Sequence, residues 1–319
     1  MFFRKTFLLS VILIFFCTSC SSGKTVSIVN WNVQTFFDSN NDGIEYTEFL
    51  TDKKWGREMY TERLKKLCSV IKKSGADIFV MEELENEKVL HDIYNFLAGE
   101  WNFSKVYAWS CFAKTPGTSI GCGVLSRIPL SDLKVHALDI RGSEKQPGLR
   151  PLIEVTVCLK NSPFVLFVSH WKSKSGGKEK TEPWRNREEA VLAKCVSKAV
   201  SSGKRFVCCG DFNRDINDFL IEDCGTVCLR FFDDVQAVKV YSPWFSDGKL
   251  IEPGSYFFKD EWSRIDNFFV DEKSYVKSYE VLTEGPWCYE ESKVPVAFRL
   301  YNGSGYSDHL PVKLELNWN

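Results

Sequence analysis

The central stretch of the chain places an acid and an amide directly after a short apolar run. Residues 205–209 are rich in β-formers and predict a buried strand, and Gly210, Asp211, Phe212 and Asn213 follow it. Because side chains alternate along an extended segment, Asp211 and Asn213 are predicted to share one side, with Phe212 in the core. A carboxylate and a carboxamide at the mouth of a strand can hold a water or a metal against a substrate. The alternative is a turn in which Asp and Asn bond the local backbone.

Other predicted strands also end in polar side chains. The strand at residues 25–33 carries Asn32 near its end, residues 76–81 run straight into Glu82 and Glu83, and residues 164–170 end in His170. Carboxylates after an apolar strand are a common way to hold a hard cation. The acidic first turn of a following helix would give the same pattern.

The last part of the chain adds three more groups of this kind. Asp266 lies in a predicted strand at residues 262–270, and Asp308 and His309 precede a final strand at residues 313–316. Each could be an ordinary satisfied polar residue. Together with the strand ends above, they supply oxygen ligands for Mg²⁺, acids to orient a water, and imidazoles to meet a phosphate.

Two further segments suggest binding. Residues 171–187 are rich in cations separated by Ser and Gly, which suits phosphate oxygens, although a solvated loop is the alternative. The predicted substrate-binding cations are Arg150, Lys172, Lys174 and Lys178. Another loop begins like a calcium loop, with Asp38, Asn40 and Asp42, but Phe49 stands where the bidentate acid is expected. An exposed acidic loop is the alternative there.

The N-terminal sequence has the pattern of an export signal. Arg4 and Lys5 precede an apolar run at residues 7–16, which is too short for a membrane span of ~20 residues. Small residues before Cys20 resemble a bacterial lipoprotein signal over residues 1–20, with lipidation at Cys20, although Cys17 stands where such signals prefer Leu. Ordinary secretion is the alternative. Both alternatives place the mature protein outside the cytoplasm, anchored to a bacterial membrane or released.

Composition fits one folded domain. The 319 residues are 44% hydrophobic and 26% charged, and the net charge of −1 excludes a global basic field. Residues 60–73 predict an amphipathic helix that Gly75 ends. Most of the ten cysteines after the signal lie in apolar runs, which predicts buried free thiols, and no Cys or His spacing suggests zinc.

Seven short motifs together resemble the endonuclease/exonuclease/phosphatase superfamily over residues 25–317. They occur in the order found in that family: Trp31-Asn32, Glu83 after an apolar strand, Leu125-Ser126-Arg127, Ser169-His170, residues 210–213, Arg264-Ile265-Asp266, and Ser307-Asp308-His309. The resemblance implies an α/β fold, a four-layer sandwich of two packed mixed β-sheets flanked by helices. It also implies phosphoester cleavage with Mg²⁺, Mn²⁺ or Ca²⁺.

The same resemblance implies roles for individual residues. Glu83 resembles the main metal ligand, with Asn32 and Asp308 close by. Further residues resemble the catalytic groups: Asp211 orients or deprotonates the water, Asn213 assists it at the phosphate, His309 held by Asp266 stabilises the transition state, and His170 contacts phosphate oxygens or the leaving group.

Three functions remain open at this stage. The first is an extracytoplasmic, monomeric, DNA endonuclease-like nuclease. Abasic-site repair is disfavoured within this class, because Gln34 stands where the DNA-repair branch of the family often has an acid, and because repair substrates are intracellular whereas this protein is expected to be exported. The second is a sphingomyelinase-like phospholipid phosphodiesterase or phosphatase, for which residues 241–245 offer a membrane-facing loop unless they lie in the core. The third is a non-catalytic lipoprotein that binds a surface. Glu82, which replaces the usual Gln before the metal Glu, is a departure from the family pattern.

Overall fold

A computed structural model describes residues 24–100, 106–138, 146–160, 162–223, 225–232, 236–246 and 248–318. The predicted signal and Cys20 lie outside these ranges. Within them, no helix is long and apolar enough to span a membrane. The helices are α1 (Thr47–Thr51), α2 (Arg57–Ser74), α3 (Glu87–Glu100) and α4 (Lys178–Ser201).

The strands of the described ranges form two large mixed sheets. The first has the order β17 (Val276–Val281), β18 (Val312–Trp318), β1 (Lys24–Phe36), β2 (Ile78–Leu84), β4 (Gly121–Ser126), β3 (Trp109–Ala113). The second has the order β5 (Leu130–His136), β6 (Leu152–Val157), β7 (Phe164–His170), β8 (Arg205–Asp211), β16 (Asp266–Val270), β11 (Ala237–Tyr241), β10 (Thr226–Arg230), β9 (Leu220–Ile221). Two hairpins stand apart, β12 (Phe245–Ser246) with β13 (Lys249–Leu250) and β14 (Tyr256–Phe258) with β15 (Glu261–Ser263).

The two sheets pack face to face, and helices cover their outer faces. β1 and β2 contact β8 across the interface, α3 packs on β3 and β4, and α4 packs on β8, β10 and β11. One apolar core joins the layers, with Trp31, Phe79, Phe167 and Phe206 among its fully buried side chains. The predicted four-layer sandwich is confirmed.

One parallel strand pair in each sheet determines where the polar strand ends meet. β1 runs parallel to β2, and β7 runs parallel to β8, whereas the other pairs are antiparallel. Because parallel strands end at the same edge of a sheet, the residues that finish these four strands are brought together.

The local predictions have mixed outcomes. Helix α2 buries the predicted apolar face and ends at Gly75, which has φ +62°. The predicted strand at 262–270 is two strands, β15 and β16, with Arg264 and Ile265 between them. The segment at 171–187 is not a simple loop, because α4 begins at Lys178. The described cysteines after residue 24 are free thiols, as expected.

Candidate active site

Three polar side chains form one row across the second sheet. Asp211, the last residue of β8, is paired with His170 at the end of β7 and with Asp266 at the start of β16. β16 is antiparallel to β8, so its first residue lies at the edge where β7 and β8 end. Sequence reasoning found all three residues, and the sheet register brings them together.

The first sheet contributes Asn32, which bridges the two sheets. Its Nδ2 donates to Glu83 Oε1 at 3.1 Å and to Asp211 Oδ2 at 3.0 Å. Its Oδ1 accepts from the backbone N–H of Gln34 at 2.9 Å, which fixes the orientation of the amide. Asn32 therefore turns its nitrogen toward the carboxylates and holds them together. Presenting its oxygen to a metal would require rotation of the amide and loss of the Gln34 bond.

Glu83 reaches the site through an irregularity in β2. Its φ is +66°, in the left-handed region, and the register of β2 against β4 shifts between Glu82 and Leu84. The backbone N–H of Thr35 donates to Glu83 Oε2 at 2.6 Å. Burial and the neighbouring charge of Asp308 raise the pKa of Glu83. A cation at this point would relieve the repulsion between the two carboxylates.

His309 is held from both sides. Its Nδ1 lies 2.8 Å from Asp266 Oδ2, its Nε2 lies 4.0 Å from Asp211 Oδ2, and Trp31 Nε1 donates to its carbonyl oxygen at 2.9 Å. The ring of Tyr256 packs on the imidazole, with centroids 4.7 Å apart. Burial alone would lower the pKa of His309, but the Asp266 carboxylate raises it well above the ordinary value. Asp266 therefore favours the protonated form of this imidazole.

In the turn after β8, Asp211 and Asn213 bond the local backbone, which is the turn arrangement that the sequence left as an alternative. The backbone N–H of Asn213, at φ +46°, donates to Asp211 Oδ1 at 2.8 Å, and its Nδ2 donates to the Trp171 carbonyl at 3.1 Å. Phe212 is fully buried, as predicted. Burial raises the pKa of Asp211 to about 7. The charge of His309 lowers this pKa and the charge of Asp266 raises it, so the two partly cancel.

His170 has the opposite electrostatic state to His309. Its Nε2 lies 3.6 Å from Asp211 Oδ2 and 3.9 Å from Glu83 Oε1. Within the described structure its Nδ1 has no hydrogen-bond partner. Burial, followed by the charge of Arg150, lowers the pKa of His170 well below its ordinary value. The site thus pairs a neutral imidazole with a charged one.

The predicted substrate-binding cations separate into two groups. Arg150 is buried and donates to the carbonyl of Trp171. Burial is the main cause that lowers the pKa values of His170 and Lys172, and the charge of Arg150 is the second cause for both. Lys178 is paired with Asp218 at 3.1 Å, and Lys174 lies near the same carboxylate. The structure therefore gathers Arg150 and Lys172 at the site, and the other two lysines lie near Asp218.

Sequence reasoning missed three features. Arg63 is fully buried and donates to the carbonyls of residues 33–35, so it holds the last turn-like residues of β1 in place. An Arg on the apolar face of a predicted helix was the available signal. Glu82 is fully buried beneath the site, and burial raises its pKa well above 4.5, which favours its protonated form. The hairpin β14–β15 places Tyr256 on His309 and leaves Phe258 57% exposed.

The donor set fits a hard divalent cation. Glu83 and Asp308 are neighbouring carboxylates, and ligand atoms of Asp211, Asp266 and His309 all lie within 4.8 Å of one another. Hard oxygen donors in a buried cluster are typical of Mg²⁺ and Ca²⁺ sites. Of the second predicted cation site, Asp38 is buried, whereas Asn40 and Asp42 are exposed. Residues 241–245 form no membrane-facing loop, because Trp244 is fully buried.

Comparisons with known proteins agree with this geometry. The sequence profile described as the Endonuclease/Exonuclease/phosphatase family matches residues 27–318. No protein with a curated description matches the chain significantly.

Solved structures resemble the fold at low identity. TDP2 from Caenorhabditis elegans has a TM-score of 0.59 and 14% identity, covering 92% of this chain and 98% of that one. TDP2 from D. rerio, complexed with a single-strand DNA product, has a TM-score of 0.55 and 14% identity, covering 92% of this chain and 99% of that one. A mannosyl-6-phosphatase from Bacteroides thetaiotaomicron has a TM-score of 0.55 and 16% identity, covering 91% of this chain and 99% of that one. These likenesses show the fold.

Proposed function

This chain belongs to the endonuclease/exonuclease/phosphatase family, and from that premise we propose that it is a metal-dependent hydrolase that cleaves phosphodiester bonds in nucleic acid. One observation carries the proposal. A buried carboxylate, Asp211, lies between two imidazoles, with its Oδ2 3.6 Å from His170 Nε2 and 4.0 Å from His309 Nε2. Hydrolysis of a phosphoester needs these three capacities, because a water must be oriented, the phosphate held, and the developing charge stabilised.

The residues divide the reaction as follows. Asp211, clamped by Asn32 and by the Asn213 backbone, orients the attacking water and accepts its proton. His309 is kept charged by Asp266 and faces the charge that develops on the phosphate oxygens. Neutral His170 donates a hydrogen bond to a phosphate oxygen or the leaving group. A divalent cation held by Glu83 and Asp308, with Asn32 beside them, would supply positive charge to the phosphate.

Two features around the site support a nucleic-acid substrate. Arg150 and Lys172 supply positive charge beside His170. Tyr256 stacks with the exposed Phe258, their centroids 6.2 Å apart, and Lys259 Nζ lies 5.4 Å from the Phe258 ring. Exposed aromatic rings next to cations are typical of surfaces on which bases stack. The D. rerio TDP2 structure holds a single-strand DNA product, which adds support from the same fold.

Phosphomonoester hydrolysis is the second candidate, because a mannosyl-6-phosphatase shares the fold. The lipid-directed alternative loses its sequence support, since residues 241–245 lie in the core. A panel of purified substrates separates these functions: single- and double-stranded DNA, RNA, sphingomyelin, bis(p-nitrophenyl) phosphate and mannose 6-phosphate. Each is assayed with Mg²⁺, Mn²⁺, Ca²⁺ or EDTA, and Glu83→Gln is the control for contaminating activity. We expect metal-dependent cleavage of a polynucleotide. Turnover of mannose 6-phosphate or sphingomyelin alone would contradict the proposal, and no turnover would favour a non-catalytic binding protein.

We also propose that the protein is exported and anchored by a lipid on Cys20. The support is the sequence alone, a basic start, a short apolar run and small residues before the cysteine. Cys20→Ser is expected to move the protein from the membrane fraction to the soluble fraction. Mass spectrometry of the mature N-terminus is the direct check, and an unmodified Cys20 in membrane-bound protein would contradict the proposal.

A further inference from the structure

A second group of metal-ligating side chains lies on the second sheet and shares no residue with the active site. Ligand atoms of His136, Glu154 and Cys195 all lie within 4.8 Å of one another. Among the described residues, the other group of three such side chains this close together is the active-site group around Asp211. The second group differs from it in chemistry, because it combines a nitrogen, an oxygen and a sulfur donor.

Strands β5 and β6 place two of these ligands on one face of the sheet. Lys134 lies opposite Glu154 in the antiparallel pair, and His136 is two residues farther along β5, so its side chain shares the face of Lys134. Glu154 Oε1 lies 2.6 Å from Lys134 Nζ, and Glu154 Oε2 lies 2.7 Å from His136 Nε2. Lys134 therefore holds one carboxylate oxygen and leaves the other for the imidazole.

Helix α4 supplies the third ligand. Leu192 and Ala199 are buried residues of α4, and Cys195 lies three residues after the first and four before the second, on the same stripe of the helix. The Cys195 thiol is free and partly buried, and it packs against the edge of the main core. The three ligands come from three elements, so no spacing of Cys and His along the chain could indicate the group.

We propose that His136, Glu154 and Cys195 form a zinc site. Zn²⁺ binds imidazole, carboxylate and thiolate, whereas Mg²⁺ and Ca²⁺ take oxygen ligands. Zinc–ligand bonds of about 2.0–2.3 Å put tetrahedral ligands roughly 3.4–3.6 Å apart. The His136–Glu154 pair, at 2.7 Å, has to open by only about 0.7 Å, and the sulfur is already within 4.8 Å of both. Small side-chain rotations are enough, and a water would fill the fourth position.

The electrostatics around the group suit a divalent ion. Burial would raise the pKa of Glu154, but its bonds with Lys134 and His136 lower it below the ordinary value, which favours the charged carboxylate. Burial, and then the charge of Glu154, raises the pKa of the Cys195 thiol to about 11. Zn²⁺ therefore displaces the thiol proton to the solvent as the bond to sulfur forms. Lys134 remains on the outer carboxylate oxygen and keeps Glu154 oriented.

The position of the site gives it a consequence for the sheet. β5 is an edge strand that pairs with β6, and its five central residues are exposed. An ion bound by His136 and Cys195 would join the last residue of β5 to the middle of α4. Exposed edge strands are the part of a sheet most prone to pair with other chains, so the ion would secure this edge against its own helix layer.

Cobalt substitution offers a direct test, because a thiolate bound to Co²⁺ absorbs in the near ultraviolet, whereas carboxylates and imidazoles alone do not give this absorption. The full mature chain, reduced and freed of metal, is titrated with Co²⁺ and then with Zn²⁺. We expect the thiolate-to-cobalt absorption to saturate at one equivalent and Zn²⁺ to remove it. Zn²⁺ should also protect Cys195 from iodoacetamide, as measured by mass spectrometry of the peptide that contains it.

Matched variants decide the ligand set. Cys195→Ser should abolish the absorption, and His136→Gln and Glu154→Gln should each weaken Zn²⁺ binding at least about tenfold in competition with Co²⁺. Cys158→Ser removes another partly buried thiol, directly after β6, and should change neither result.

Two outcomes would overturn the proposal: no thiolate absorption with excess Co²⁺, or an absorption that Cys195→Ser leaves unchanged. If Cys195→Ser does not fold, unchanged Zn²⁺ affinity in His136→Gln overturns it instead. The readout is ion binding at a thiolate, so its outcome is independent of the hydrolytic function.

Discussion

The two active-site histidines differ because their neighbours differ. Asp266 bonds His309 and raises its pKa, whereas burial and then the charge of Arg150 lower the pKa of His170. The type and position of both residues were predictable from the sequence, since His170 ends an apolar strand and His309 lies shortly before the final strand. Their opposite charges were not predictable, because they depend on which side chains the sheet register brings within a few ångströms.

Asp211 and His309 are expected to act on one transition state. Asp211→Asn and His309→Ala should each lower kcat by at least about 10²-fold, the usual scale of acid–base and charge-stabilising effects, with KM changing far less. The double variant should lose less than the product of the single losses. Steady-state kinetics with the best substrate of the panel measure this, with circular dichroism as the control for folding.

Asp266 is expected to act through His309. Asp266→Asn leaves the imidazole in place but removes the carboxylate that raises its pKa, whose Oδ2 lies 2.8 Å from His309 Nδ1. We therefore expect a smaller loss of kcat than in His309→Ala, and a pH profile in which the loss grows as pH rises. Fully multiplicative losses in the double variant would show that the two residues do not work as a unit.

Glu82 allows a prediction with a clear sign. Burial raises its pKa well above 4.5, so the folded chain holds the proton more tightly than the unfolded chain does. Its contribution to stability is present below about pH 4.5 and is lost as pH rises. Glu82→Gln should keep the shape, retain activity, and raise Tm over the parent at pH 8 but not at pH 4. An equal or lower Tm at pH 8 would contradict the neutral state of this carboxyl.

At the scale of elements, the structure of the cationic segment at residues 171–187, which runs into the first turns of α4, was only partly predictable. Arg185 is fully buried and donates to the carbonyls of Lys172 and Lys178, so it shapes the segment and does not face solvent. The sequence shows a run of cations but not which of them turn inward. Likewise, the sequence carries no signal for the interruption between β15 and β16, because it falls at Arg264 and Ile265 and neither residue is a typical turn former.

Lys172 is expected to bind the substrate backbone. Lys172→Ala should raise KM on a polynucleotide several-fold and flatten its salt dependence, because fewer counterions are released on binding. Lys180→Ala, which removes an exposed lysine of the same segment, is the control. An equal loss on a small soluble diester would show instead that Lys172 supports the active site itself.

The aromatic hairpin β14–β15 gives a second prediction at this scale. Phe258 is 57% exposed and stacks with Tyr256, which packs on His309. Stacking of one base on an aromatic ring is worth ~1–3 kcal/mol, so Phe258→Ala should raise KM for single-stranded DNA at least about fivefold. Tyr289→Ala, another exposed aromatic, is the control. The same rise with a substrate that has no base would exclude stacking as the cause.

For the whole molecule, buried carboxyls should make the metal-free protein less stable as pH rises. Burial raises the pKa of Glu188 and Asp211 to about 7 and that of Asp271 to about 6. For Glu188, a pKa of about 7 against 4.5 corresponds to roughly 3 kcal/mol at most. Since each folded pKa lies above the unfolded one, stability falls between about pH 4 and 7.

Calorimetric melting in EDTA should therefore show a falling Tm over that pH range. Added Mg²⁺ or Ca²⁺ should raise Tm more at pH 8 than at pH 5, because ligand carboxylates must be ionised to bind. A pH-independent effect of the cation would contradict this account.

The overall fold was predictable to a useful extent, and the reason is physical. Apolar runs of strand length and one clear amphipathic helix determine the layers, and the order of motifs identified the family. What the sequence could not provide were the positive φ of Glu83, the orientation of the Asn32 amide and the hairpin beside His309. Each depends on contacts between residues far apart in the chain.

The pairing of β1 with β18 has a consequence for reach. Lys24 lies opposite Trp318, so both termini of the domain meet at one end of the first sheet, and Asn32 lies about 26 Å farther along β1 at ~3.3 Å per residue. With a lipid on Cys20, only three residues separate the anchor from that end. The bilayer would then lie at the foot of the domain and the catalytic opening at its far tip. An enzyme tethered in this way would reach polymers outside the membrane more readily than the headgroups of its own membrane.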